Sequence, residues 1–107
     1  MNKCICPKGT HIQGYENSIK VAAPSWSDKK LITLDKCISA EVQALWDHGI
    51  RTCGSCCGHH IVNPYIQACE LIDAISMAEI GYLVAVRRDG TFAARPKTIA
   101  SHKWMPD

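Results

Sequence analysis

Apolar residues recur with a helical period in one part of this chain and in short alternating or continuous runs elsewhere. Ile38, Val42, Leu45 and Trp46 fall at i, i+4, i+7 and i+8, the spacing of one apolar helix face. Asp35 stands where an N-terminal cap is expected, and Gly49 where a left-handed terminator is expected. A second helix is predicted from about Glu70 to Ile80, with Leu71, Ile72, Ile75 and Ala78 on its buried side and Gly81 ending it. The short runs Ile19 to Ala23, Leu31 to Leu34, Ile50 to Cys53, Tyr65 to Ala68 and Tyr82 to Val86 predict strands. Asp89-Gly90 is a hairpin signal, after which Thr91 to Ala94 would pair back. Residues 1–18 hold Pro7, Gly9, Gly14, Asn17 and Ser18 without periodicity, and read as a loop that something must hold down. The expectation is an α+β fold: a small sheet of short strands with two helices on one face. With 107 residues, no internal repeat and no linker, the chain is expected to form one domain.

Composition adds little until the cysteines are counted. Hydrophobic residues are 47% and charged ones 21%, which is globular and excludes a disordered chain. A net charge of +2 is too small to imply nucleic acid by itself. No apolar run approaches the ~18 residues of a membrane span, so no membrane association is expected. The start, Met1-Asn2-Lys3-Cys4, lacks the apolar region of a secretion signal, so a cytoplasmic location is expected. Seven cysteines is an odd number, two of them are adjacent, and a reducing compartment would keep them as thiols. Metal binding is therefore expected in preference to a disulfide framework.

The stretch Cys53-Gly54-Ser55-Cys56-Cys57-Gly58-His59-His60 places five potential soft-metal ligands within eight residues. Cys4-Ile5-Cys6 with His11 forms a second, looser group. Thiolate and imidazole are the ligands of structural zinc sites, which close with four of them in a tetrahedron. One ion drawing on both groups would staple the N-terminal loop to the centre of the chain. In an extended segment adjacent residues face opposite ways, so Cys56 and Cys57 need not share a role. Gly58 would let the chain turn so that His59 swings back towards the same ion. The expected ligands of one Zn2+ are Cys6, His11, Cys56 and His59, with Cys4, Cys37 and Cys57 as substitutes. Cys53 and Cys69 are expected in the core, where a small hydrophobe would serve as well.

The string Asp35-Lys36-Cys37-Ile38, then Leu45-Trp46, Gly49-Ile50-Arg51-Thr52 and Gly54-Ser55-Cys56-Cys57-Gly58-His59 resembles a widespread family of small uncharacterised bacteriophage and prophage proteins. Its hallmark is a helix followed by a Gly-Ile-x-Thr-x-[Gly/Ser]-Cys-Cys-Gly-His motif. Cys4-x-Cys6-Pro7-Lys8-Gly9-Thr10-His11 and Gly81-Tyr82 are similar to the same family, and the likeness covers roughly 4–16 and 35–82. It implies a zinc-binding protein and carries no known activity. His60 departs from the family pattern, which has glycine after the motif histidine, so it could displace or supplement a ligand.

Enzymatic readings are weaker on the same residues. Cys53-x-x-Cys56 as a redox pair would need a following helix, and Asn63-Pro64 breaks one. Cys57 with His59 as nucleophile and base has no orienting acid in view. A hydrolytic zinc site would need an open position and a base such as Asp35 or Asp47, whereas the many candidate ligands favour a closed one. Arg87, Arg88, Arg95 and Lys97, with Phe92 and Trp104, could contact nucleic acid; the competing reading is a charge-protected edge strand. His48 and His102 are expected at the surface and Trp46 in the core. The sequence thus points to a zinc-stabilised phage accessory protein that binds a host or defence-system protein. A nucleic-acid-binding zinc module and a small zinc hydrolase are the alternatives.

Overall fold

The computed structural model describes residues 18–57 and 63–98. It is an α+β fold whose strands divide between two antiparallel sheets. Strands β1 (Ser18–Ala22) and β2 (Leu31–Asp35) form a hairpin, and β3 (Thr52–Cys56), β4 (Tyr65–Ala68), β5 (Val84–Val86) and β6 (Phe92–Ala94) form a four-stranded sheet in the order β3-β4-β6-β5. A 3₁₀ turn, Lys36–Ile38, runs into helix α1 (Ser39–Asp47), and helix α2 (Leu71–Glu79) joins β4 to β5. Among the described residues no helix is long and apolar enough to cross a membrane.

Helix α1 follows its apolar period. Ile38, Val42, Leu45 and Trp46 are all buried and share one cluster with Leu34, Ile50, Ile66, Met77 and Ala94. The helix ends as its sequence requires, because Gly49 adopts a φ of 79°, which costs a glycine nothing. Its beginning differs from expectation. Asp35 makes no side-chain cap; the 3₁₀ turn intervenes, and Asp35 Oδ2 instead accepts the backbone N–H of Cys57 at 2.9 Å. The carboxylate thus ties the end of β2 to the end of β3.

Helix α2 is turned away from its expected orientation. Leu71, Ile72, Ile75 and Ala78, the face read as buried, are exposed, while Asp73, Ala74 and Met77 face inward. Asp73 explains the rotation. Its Oδ1 accepts the backbone N–H of Arg51 at 2.9 Å, and its Oδ2 accepts the N–H of Glu70 at 3.2 Å in a capping box. The Arg51 guanidinium also lies 3.1 Å from Oδ2. A carboxylate held by these donors can be buried at little cost, and it pins the first turn with residues 73, 74 and 77 towards the sheet.

Glu41 performs a second polar anchoring. It is buried on α1, where Oε2 accepts from the Tyr82 hydroxyl and the Lys97 backbone N–H, both at 2.7 Å. Oε1 accepts from the Thr98 N–H at 3.2 Å and the Thr98 hydroxyl at 2.6 Å. Lys97 also places Nζ 4.4 Å from the centre of the Tyr82 ring and donates to the Ile80 carbonyl. Burial first, and then Glu41, raise the Tyr82 phenol well above its ordinary value. A raised folded value means the neutral phenol contributes its stability below an unfolded pKa of about 10 and loses it as pH rises towards the folded value. Melting curves from pH 8 to 11 should therefore fall more steeply for the wild type than for Tyr82→Phe. Parallel curves would remove Tyr82 as the source of alkaline sensitivity.

Candidate functional site

The sequence-predicted metal ligands divide between described and undescribed segments. Cys4, Cys6, His11 and His59 lie outside the described residues, as do His60 and His102. The remaining three, Cys37, Cys56 and Cys57, lie on segments that approach each other at one corner, where the end of β2 is tied to the end of β3. The Asp35–Cys57 hydrogen bond draws the 3₁₀ turn that carries Cys37 against the end of β3. Cys57 is buried in the main cluster, whereas Cys37 and Cys56 are half-buried, so the two adjacent cysteines do have different surroundings. Among the described residues no group of three or more His, Cys, Asp or Glu side chains is placed to hold a metal ion. A four-ligand centre at this corner would have to draw on the segments that hold Cys4, Cys6, His11 and His59.

Cys53 is a correction. It was expected in the core, and it is exposed. The β3–β4 register explains why: Thr52 pairs with Ala68 and Gly54 with Gln67, so Cys53 is the extra residue of a bulge. A bulge breaks the alternation on which the expectation rested and re-aims the side chain. Cys53 Sγ accepts from Gln67 Nε2 at 3.1 Å and lies 3.7 Å from the Ala68 carbonyl oxygen. Cys69, also expected in the core, is half-buried and lies beside Cys53.

On the same outer face of the four-stranded sheet, Arg87 stacks over the Tyr65 ring at 4.7 Å and donates to Thr91 Oγ1 at 2.7 Å and to Gln67 Oε1. The basic hairpin is therefore spread over different tasks: Arg87 braces this face, and Lys97 braces the Glu41–Tyr82 anchor. Strand β5, which Arg87 follows, is a sheet edge.

Two further surface features were not foreseen. A groove of about 520 Å³ runs between β2 and β3, lined among others by Trp26, Lys29, Thr33, Trp46, Cys53 and Ser55. Trp26 packs edge-on against Trp46 with ring centres 6.2 Å apart, and Trp46 Nε1 donates to Thr52 Oγ1 at 2.9 Å. The second feature is apolar: Leu71 (56% exposed), Ile72 (58%), Ile75, Ile80, Leu83 and Val86 (65%) all show large side chains to solvent. The signal for it was present in the sequence as a strongly apolar α2; only the direction of that face was misread. Together these features define a small α+β domain with a cysteine-bearing corner and an unusually apolar helix surface. Comparison with family models, curated proteins and solved structures finds no match to the chain.

Proposed function

We propose that this chain is a small accessory protein of the bacteriophage or prophage type, stapled by zinc, that acts by binding another protein through the exposed face of α2 and the segment after it. The observation that carries the reading is the set Leu71, Ile72, Ile75, Ile80, Leu83 and Val86, exposed within sixteen residues of chain. Side chains of this size scattered singly need no explanation, but a concentration of them marks an interaction surface. Glu70 and Glu79, exposed at the two ends of α2, supply part of the charged rim that such interfaces carry. The occupant is a protein of host or defence-system origin, since the Ser55-Cys56-Cys57-Gly58-His59 string is what resembles phage proteins and zinc serves stability. Catalysis is no part of this reading.

The test is comparative. Wild type and the double variant Ile72→Lys/Leu83→Lys are used as bait in lysate from phage-infected cells, with Arg88→Ala as a control outside the apolar face. Both lysines replace side chains that are already exposed, so stability should stay within about 0.5 kcal/mol of wild type. A protein retained by wild type and by Arg88→Ala, and lost by the double variant, is the expected result. Equal retention by all three rejects the surface. So does light scattering that shows the wild type to be a dimer that the lysines dissociate, since the face would then be filled by a second copy.

A further inference from the structure

We infer that Cys53 and Cys69 form a dithiol modification site, which a low-molecular-weight disulfide oxidises to a disulfide across β3 and the end of β4. This site is separate from the corner that carries Cys37, Cys56 and Cys57 and from the apolar face of α2.

The geometry comes from the bulge. Ile66 and Ala68 point into the core, so Gln67 and Cys69 belong to the opposite, outer face of the sheet. The ladder continues beyond Ala68 through the Cys69 N–H, which donates to the Arg51 carbonyl at 3.1 Å, so the Cys69 backbone is fixed. Cys53 is the unpaired extra residue of β3, and its sulfur reaches back over the ladder to Gln67 Nε2 and the Ala68 carbonyl. That position, 3.7 Å from the carbonyl of the residue before Cys69, sets it beside the Cys69 thiol. Without the bulge, the residue following Thr52 would be paired within the ladder.

The two sulfurs differ in a way that assigns their roles. Cys53 is exposed and also lines the groove between β2 and β3, where Lys29 and Ser55 offer a cation and a hydroxyl to a small anionic reactant. Cys69 is half-buried, and burial, followed by the neighbouring Cys53, pushes its thiol up to about 12, so it stays protonated at neutral pH. Cys53 is then the attacking sulfur and Cys69 the resolving one. In the first step the Cys53 thiolate attacks one sulfur of a disulfide such as oxidised glutathione; an S–S bond forms to Cys53 and one glutathione thiolate leaves. In the second step Cys69 gives up its proton and attacks Cys53 Sγ, forming the protein disulfide and releasing the second glutathione. Overall two protein thiols are oxidised, one small disulfide is reduced, and two small thiols are produced.

The experiment uses the reduced full chain, treated with oxidised glutathione at neutral pH. Remaining thiols are then alkylated and the chain is cut with a protease selective for aromatic residues. Tyr65 is the only aromatic residue between the two cysteines, so cleavage there separates them unless they are linked. The expected product is a joined pair of fragments carrying Cys53 and Cys69, two hydrogens lighter than the sum of the two fragments with those cysteines as free thiols and Cys56 and Cys57 alkylated. Cys69→Ser should instead accumulate a stable glutathione adduct on Cys53. Cys53→Ser should leave Cys69 unmodified over the same interval. Linkage of Cys53 to Cys56 or any other cysteine overturns the site, as does full alkylation of Cys69 in the treated wild type. Because one residue is exposed and the other half-buried, unchanged melting of the reduced variants confirms that both are folded.

Discussion

Replacing Glu41 with alanine should cost about 3 kcal/mol and lower Tm by roughly 15 °C. Glu41 is 8% exposed and accepts four hydrogen bonds, two of them from backbone N–H groups at Lys97 and Thr98. Alanine removes the acceptor and leaves those donors half-buried beside a hole, which is the costly direction of such a change. The loss should also be local in kind: the amides of Lys97 and Thr98 should exchange faster, since both donate to this carboxylate. Glu41→Gln separates charge from shape. Its one carbonyl oxygen can replace either Oε1 or Oε2, and the amide nitrogen then meets a backbone N–H. The Tyr82 or Thr98 hydroxyl can turn round to accept; the backbone N–H cannot. Glutamine should therefore fall between wild type and alanine. Thermal melts of the three proteins decide the matter, and an alanine variant within 1 kcal/mol of wild type would show that water replaces the carboxylate.

That anchor was invisible in the sequence, and the reason is instructive. Glu41 occupies the first turn of α1, and its partners lie at 82, 97 and 98, joined to it only by the fold. Local patterns reach as far as a helix or hairpin does. Within that reach they served well: the α1 face of Ile38, Val42, Leu45 and Trp46, the terminator Gly49 and the Asp89-Gly90 turn lie where periodicity and turn chemistry put them. The face of α2 failed because the rule sends apolar residues inward, while Asp73 entered the interior with three donors around it and left Leu71 and Ile72 outside. Asp35 failed as a cap because its acceptor was taken by Cys57, twenty-two residues away. Cys53 failed because one extra residue in β3 cancels alternation, and no residue type announces that bulge. For the metal corner, the sequence placed Cys37, Cys56 and Cys57 in one candidate set, and the fold brings their segments together; Cys4, Cys6, His11 and His59 fall in segments outside the described residues.

Removing zinc should have an effect at least as large as losing Glu41. On the proposed reading the freshly purified protein carries about one equivalent of Zn2+, because four of the Cys and His candidates suffice for one tetrahedral ion. A metal that binds the folded chain alone stabilises it by mass action, about 4 kcal/mol when free zinc is a thousandfold above its dissociation constant, or on the order of 20 °C in Tm. Chelation should remove that increment. Its first structural sign should be faster exchange of the Cys57 amide, since the Asp35–Cys57 bond closes the corner where Cys37 and Cys56 stand. The packing of Leu34, Val42, Ile66 and Met77, none of them a candidate ligand, should keep the chelated protein cooperative in its melting. Single substitutions then separate ligands from bystanders. Cys56→Ser should lose the metal and fall to the chelated Tm, whereas Cys69→Ser, on the far side of the β3–β4 ladder, should keep its zinc. Metal content far below one equivalent in unchelated wild type, or a Tm that chelation does not move, would reject the staple. The core packing and the Glu41 and Asp73 anchors would then account for the stability of the chain by themselves.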